Sequence, residues 1–138
     1  MLEARDSPAA AVVGGYLYIC GGDNVGFQPL QTAERFDPKL ELWEALPPMA
    51  ERRSGAAAAA LGGRVYVCGG SDGSQRLSSA ERFDPASGVW EPLPPMSQRR
   101  FGAAVAVVGG KIYACGGAAD GVQLDSAERF DPELSVWE

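Results

Sequence analysis

The hexapeptide Ala-Glu-Arg-Phe-Asp-Pro begins at Ala33, Ala80 and Ala127, 47 residues apart each time. A tandem repeat of this length constrains the fold more than any other property of the chain, because periods of roughly 20–50 residues mark solenoids, propellers and arrays. Tryptophan keeps the same spacing and occurs only at Trp43, Trp90 and Trp137. A Cys-Gly-Gly triplet recurs at Cys20, Cys68 and Cys115, and a second glycine pair at Gly14, Gly62 and Gly109. Leu-Pro-Pro-Met follows at Leu46 and Leu93. The register divides the chain into residues 1–48, 49–95 and 96–138. One slip breaks it: ten residues separate Gly22 from Ala33, but nine separate Gly70 from Ala80 and Gly117 from Ala127. The segment after Cys-Gly-Gly is therefore expected to be a surface loop, where an extra residue is tolerated.

Each unit carries four short apolar runs. The first is Ala56–Leu61, matched by Ala103–Val108 and Ala9–Val13. Alanine alone would favour helix. The run has only six residues, sits between Gly55 and Gly62, and carries valines in the third copy, so a buried strand suits all three. The runs Arg64–Cys68, Ser79–Phe83 and Val89–Leu93 alternate and hold β-branched or aromatic residues, so they read as strands as well. Gly62-Gly63 suits a two-residue hairpin that needs positive φ at both positions. Asp84-Pro85 favours a type I turn. With 18 glycines and 10 prolines in 138 residues, long helices are not expected. Each unit reads as a four-stranded antiparallel meander.

The order of these features, a double glycine, a Phe two residues before Pro and a spaced Trp, resembles the Kelch repeat. The Arg-Arg-Ser-Gly start at Arg52 and the Pro-Pro-Met end at Met96 most resemble the Kelch domains of BTB–Kelch adaptors of cullin-based ubiquitin ligases. The resemblance implies an all-β propeller segment of three blades, the last one truncated. The first strand of each blade would lie innermost, where the small residues Ala56–Ala60 avoid collision. Tyr66, Phe83 and Trp90 would fill the space between blades. Kelch propellers usually have six blades, so three are expected to be part of a larger ring. Met1-Leu-Glu-Ala-Arg5 aligns with Met49–Arg53 and Met96–Arg100, and Glu138 falls inside a fourth strand. Both ends are therefore expected to be cuts through a longer propeller; a rival reading pairs two chains into one ring.

Candidate chemistry is sparse, and the chain is not expected to be an enzyme. It has no histidine, which removes Ser-His and Cys-His pairs, histidine-based metal sites and the copper centre of oxidase-type Kelch propellers. No GxxxxGK[ST] motif is present, and the glycine pairs read as strand-end turns. Glu34, Glu81 and Glu128 recur with Asp37, Asp84 and Asp131 in identical places. Identical placement argues for architecture, the Asp residues in turns and the Glu residues beside a neighbouring arginine. The three cysteines form no CxxC pair and read as reduced packing residues in a cytoplasmic protein. The net charge of −6 speaks against nucleic acid, and no apolar run approaches the ~20 residues of a membrane span. No cofactor or metal is expected.

A binding surface is expected where the segments after Cys-Gly-Gly open. They hold the least repetitive residues: Phe27, Gln28, Gln75, Arg76, Asp120 and Gln123. Arg5, Arg53 and Arg100 share one position just before the inner strand. In the adaptor family the matching arginines and loops hold peptides, often acidic ones, so by resemblance these three would clasp carboxylates or phosphates. The competing reading gives them salt bridges to acidic residues of adjacent blades or bonds to loop carbonyls. The expected partner is a protein or peptide, with cullin-ligase components reached only through regions absent from this chain. The alternative function is an actin-binding or other scaffold without a ligase role.

Overall fold

A computed structural model describes residues 1–138 as an all-β chain. Blade 1 comprises β1 (Ala9–Val13), β2 (Tyr16–Cys20), β3 (Ala33–Asp37) and β4 (Leu42–Leu46) in the order β1-β2-β3-β4. Blade 2 repeats it with β5 (Ala57–Leu61), β6 (Arg64–Cys68), β7 (Ala80–Asp84) and β8 (Val89–Leu93). Blade 3 uses β9 (Ala104–Val108), β10 (Lys111–Cys115), β13 (Ala127–Asp131) and the short β14 (Val136–Trp137). A small ribbon, β11 (Ala118–Ala119) with β12 (Val122–Gln123), occupies the loop between β10 and β13. The alanine run of blade 2 is a strand, as its counterparts are. Propensity yields to pairing, because Ala57 to Leu61 face Cys68 to Arg64 residue by residue.

The blades meet through their first strands: β1 contacts β5, and β5 contacts β9. The four-stranded sheets therefore converge at one edge and fan apart, as the blades of a β-propeller do. Alanines at this edge let the strands approach.

Alternation gives each sheet two apolar faces. The front of blade 1 (Ala9, Tyr18, Cys20, Ala33) packs on the back of blade 2 (Val65, Val67, Phe83) with Met49 between them, and all eight side chains are buried. The front of blade 2 meets blade 3 in the same way, through Ala57, Cys68, Ala80 and Met96 on Ala114, and Ala59 and Tyr66 on Ile112 and Phe130. Tyr18 lies 6.1 Å from Phe83, and Tyr66 lies 6.2 Å from Phe130. Trp90 backs Phe83 at 5.1 Å, and its indole N–H donates to the Pro47 carbonyl at 2.7 Å. Trp137 donates likewise to Pro94 at 2.8 Å. The Pro-Pro-Met segment thus supplies one blade's indole acceptor and the buried methionine beneath it. The back of blade 1 and the front of blade 3 have no such cover.

The turns behave as their residues dictate. Gly62 and Gly63 have φ of 58° and 74° and close the β5–β6 hairpin. The Asp-Pro turn runs one residue longer than a type I turn. Asp84 Oδ1 accepts the Ala86 N–H at 2.9 Å, and the Gly88 N–H returns to the Asp84 carbonyl at 2.8 Å. Gly88 takes the left-handed conformation needed there (φ 71°), whereas blades 1 and 3 place Glu41 (φ 55°) and Ser135 (φ 57°) at that position. Glu41→Gly is expected to raise stability by about 0.5–1 kcal/mol, because it removes left-handed strain from a non-glycine residue. Urea unfolding of the variant beside the parent chain checks this.

Candidate functional site

The loops after β2, β6 and β10 open at one end of the blades. Each is tied to the segment entering the first strand by a backbone bridge: Asp6 with Asp23, Ser54 with Ser71, and Phe101 with Ala118. Side chains fix the loop tips. Asn24 Oδ1 accepts the Gly26 and Gln28 N–H groups at 2.8 and 3.0 Å. Asp72 Oδ1 accepts those of Ser74 and Gln75 at 2.8 and 2.9 Å, and these backbone donors hold its carboxyl below its ordinary value. The loops are thus anchored scaffolds that display their variable residues.

Phe27, Gln28, Gln75 and Gln123 are exposed on these loops, and Arg76 is half-buried beside them. Phe27 stands in the left-handed region (φ 58°). It is 83% exposed, and Val25, which sequence reasoning did not single out, is 87% exposed. A polar groove between loops 2 and 3 is lined by Ser71, Ser74, Gln75, Arg76 and Asp120. The Arg76 guanidinium stacks 3.8 Å above the Phe101 ring of the next repeat. None of its five N–H groups has a hydrogen-bond partner within the chain.

Arg5, Arg53 and Arg100 are a correction: they do not belong to this surface. The Arg53 and Arg100 residues are 1% exposed, and the Arg5 side chain is equally covered. Arg53 spends every donor inside the fold. Nε and Nη2 hold Glu81 Oε2 at 3.1 and 3.0 Å, Nη1 donates to the Gly69 and Ser79 carbonyls at 2.9 and 3.0 Å, and Nη2 also reaches Glu51 at 3.0 Å. Arg5 holds Glu34, Gly21 and Thr32 in the same way, and Arg100 holds Glu128, Gly116 and Ser126. The other oxygen of each Glu accepts a backbone N–H, from Leu2, Ala50 and Ser97 respectively. The cause is the depth of the position: the guanidinium lies under the strand ends, where only a full set of partners makes burial tolerable. Salt bridges and carbonyl bonds are what hold them, but the acidic partners lie within the same blade and not on the adjacent one. An Arg53→Ala, Arg100→Ala double variant therefore reports on folding before it reports on binding. The arginine preceding each buried one is the exposed one, at Arg52 and Arg99. Its signal was present in the sequence, since that position varies to Ala4 in the first repeat.

The thiols divide by cover. Cys20 and Cys68 are buried and Cys115 is exposed, and no disulfide forms. Burial pushes the Cys20 thiol up to about 12 and the Cys68 thiol up to about 11, from an ordinary 9.0. Both folded values are raised, so the stabilising effect is full below the unfolded value and fades as pH climbs from 9.0 towards the folded ones. Unfolding midpoints in urea are expected to fall between pH 9 and about 11, and a Cys20→Ala, Cys68→Ala variant is expected to lose part of that slope. No group of three or more Cys, Asp or Glu side chains is arranged to hold a metal ion.

Converging four-stranded blades that display anchored, non-repetitive loops define a repeat scaffold of the propeller class. A family model for the Kelch motif matches residues 4–50, 52–97 and 99–138, nearly the whole chain, which belongs to the Kelch-repeat family. Kelch repeats generally mediate protein–protein interaction, and their domains are typically non-enzymatic scaffolds. No match was found among curated proteins.

Proposed function

We propose that this chain recognises an acidic protein segment at its loop end, as part of the substrate-recognition region of a cullin-based ubiquitin ligase in the cytoplasm. The observation that carries the binding reading is Arg76. Its guanidinium is pinned by Phe101, lines a polar groove and has its whole donor fork free for a carboxylate. Val25 and Phe27 add exposed apolar area on the neighbouring loop for a side chain of the same ligand. The ligase assignment is supported by the likeness of the Arg-Arg-Ser-Gly and Pro-Pro-Met segments to BTB–Kelch adaptors, and the cytoplasmic setting by three unpaired thiols.

Affinity capture with the full-length protein, followed by a cullin-dependent ubiquitination assay on the captured partner, tests the reading. Arg76→Ala is expected to weaken capture about 10- to 100-fold, since hydrogen bonds to charged groups contribute ~1.5–3 kcal/mol. Arg52→Ala, outside the groove, is expected to change it little. Undiminished binding by the Arg76 variant refutes the site. Co-sedimentation with actin filaments, without ubiquitination of a partner, favours the scaffold alternative.

A further inference from the structure

We infer that Asp120 sets the specificity of the groove between loops 2 and 3, an inference that rests on the Arg76 reading. It selects a ligand segment in which the acidic residue held by Arg76 has a lysine, arginine, serine or threonine beside it, and it turns away uninterrupted acidic runs.

The repeat register brings the two residues onto one groove. Pro29 and Arg76 share one place, because each pairs back across its own loop, with Asp23 and Ser71 respectively. Gly73 and Asp120 share another, the third residue after the second glycine of Cys-Gly-Gly. Between blades 1 and 2 these two places touch: a Cβ at Gly73 would stand 3.4 Å from the Pro29 ring. Between blades 2 and 3 the same two places hold Arg76 and Asp120, and both line the groove. A neutral, closed contact at one junction is an open, charged one at the next.

A cation and a carboxylate so placed would ordinarily pair, but these two are held apart. The Arg76 guanidinium lies 3.8 Å above the Phe101 ring. Asp120 meets Arg99 instead, whose Nη1 lies 3.8 Å from Oδ1, too far for a hydrogen bond. Both ends of this dipole are fixed in place. Arg76 is stacked and bridged. Asp120 and Gly121 form the two-residue turn of β11 and β12, with φ of 49° and 84°, closed by the pairs Ala119 with Val122 and Ala118 with Gln123. A ligand therefore meets donors and acceptors that are already ordered. The turn itself does not call for a carboxylate, since glycine serves at the matching place in loop 2 (Gly73, φ 97°).

The chemistry follows from the two charges. Arg76 alone would take any carboxylate. With Asp120 in the same groove, a second carboxylate beside the first meets like charge, whereas an ammonium, a guanidinium or a hydroxyl finds an open acceptor. Repulsion of the wrong segment and attraction of the right one both add to the discrimination.

Random linear peptides displayed on phage, selected on the full-length protein and counter-selected on its Arg76→Ala variant, supply the probe. Retained peptides are expected to carry Asp or Glu next to Lys, Arg, Ser or Thr, well above the frequency in the starting library. Selection on an Asp120→Asn variant is expected to keep the acid and lose the preference for its neighbour. A synthetic peptide from the first selection is expected to bind Asp120→Asn about 3- to 10-fold more weakly than the parent protein. Its copy with Glu in place of that neighbour is expected to move the other way. Asp120→Gly, which adopts the residue of loop 2 at that place, is expected to repeat both shifts with the parent circular dichroism spectrum, and it decides alone should Asp120→Asn lose its fold. Arg76-dependent peptides without such a neighbour overturn the role of Asp120 and leave the Arg76 site standing. So does a neighbour preference that survives both Asp120 variants. A library that yields no Arg76-dependent peptide overturns the site and this inference together.

Discussion

Replacing Arg53 by Ala is expected to destabilise the fold by about 3–5 kcal/mol, the usual effect of breaking a buried ion pair from one side. The Glu81 side chain, 3% exposed, would keep its charge and lose its countercharge. The Gly69 and Ser79 carbonyls would each lose a donor at the same stroke. The effect should extend beyond one blade, because the Arg53 backbone N–H and carbonyl carry two of the bonds that join blade 1 to blade 2. Arg52→Ala, one residue away, is expected to stay within about 0.5 kcal/mol, since Arg52 is exposed and makes no ion pair. An Arg53→Met, Glu81→Met pair is expected to be milder than Arg53→Ala alone, because no unpaired charge stays buried. Urea unfolding of the four proteins checks the order, and equal losses from Arg52 and Arg53 would contradict the buried network.

Gly69→Ala is expected to cost about 3 kcal/mol or more. Its φ of 69° lies in the left-handed region, where a side chain costs roughly 1–2 kcal/mol. The added methyl would also meet the Arg100 carbonyl oxygen at 2.2 Å, and overpacking adds about 1–3 kcal/mol. That oxygen cannot move freely, since it accepts the Gly70 N–H at 2.8 Å. Gly62→Ala separates the two contributions. Gly62 has φ of 58° and nothing within 4 Å of its Cβ position, so only the conformational cost of roughly 1–2 kcal/mol remains. Similar losses at both glycines would show that the interblade approach is looser than described. The recurrence of Cys-Gly-Gly within the chain thus has a mechanical origin: the first glycine lies against the next blade's entry segment at Gly21 and Gly69, and the second against its own blade's at Gly22, Gly70 and Gly117.

Arginine is where the sequence misleads. Arg5, Arg53 and Arg100 share one repeat position, as Glu34, Glu81 and Glu128 do. Equal placement in every blade argues for architecture at the carboxylates, while for the arginines family resemblance sets recognition beside the salt-bridge reading. The same logic holds for both, because they are the two ends of one ion pair. A ligand-reading residue has no reason to recur in identical surroundings, and Arg76 does not recur. Phe27 and Gln123 likewise have no copy in the other repeats, whereas Gln28 and Gln75 share one position, two residues before Leu30 and Leu77; all four lie at the displayed loop end. Val25 and the Arg76–Phe101 stack are not legible in the sequence, because exposure and stacking across repeats have no signature in local pattern.

Period, strand order and turn chemistry were legible from the sequence alone. Alternation selects the faces of a strand, Gly-Gly and Asp-Pro select its turns, and 47-residue recurrence makes each unit a copy of the last. These are local properties, repeated three times over. The tertiary structure alone decided which polar groups are consumed and which remain available. Arg53 and Glu81 lie 28 residues apart in the chain, yet they meet at 3.0 Å beneath a strand end. Arg76 finds its aromatic support on the following repeat. Cys115 is exposed where Cys20 and Cys68 are buried, although the three share one position in the repeat, because two of them have a neighbouring blade over them and one does not. Burial is a property of neighbours distant in sequence, and a side chain's availability for binding is settled only when those neighbours are in place.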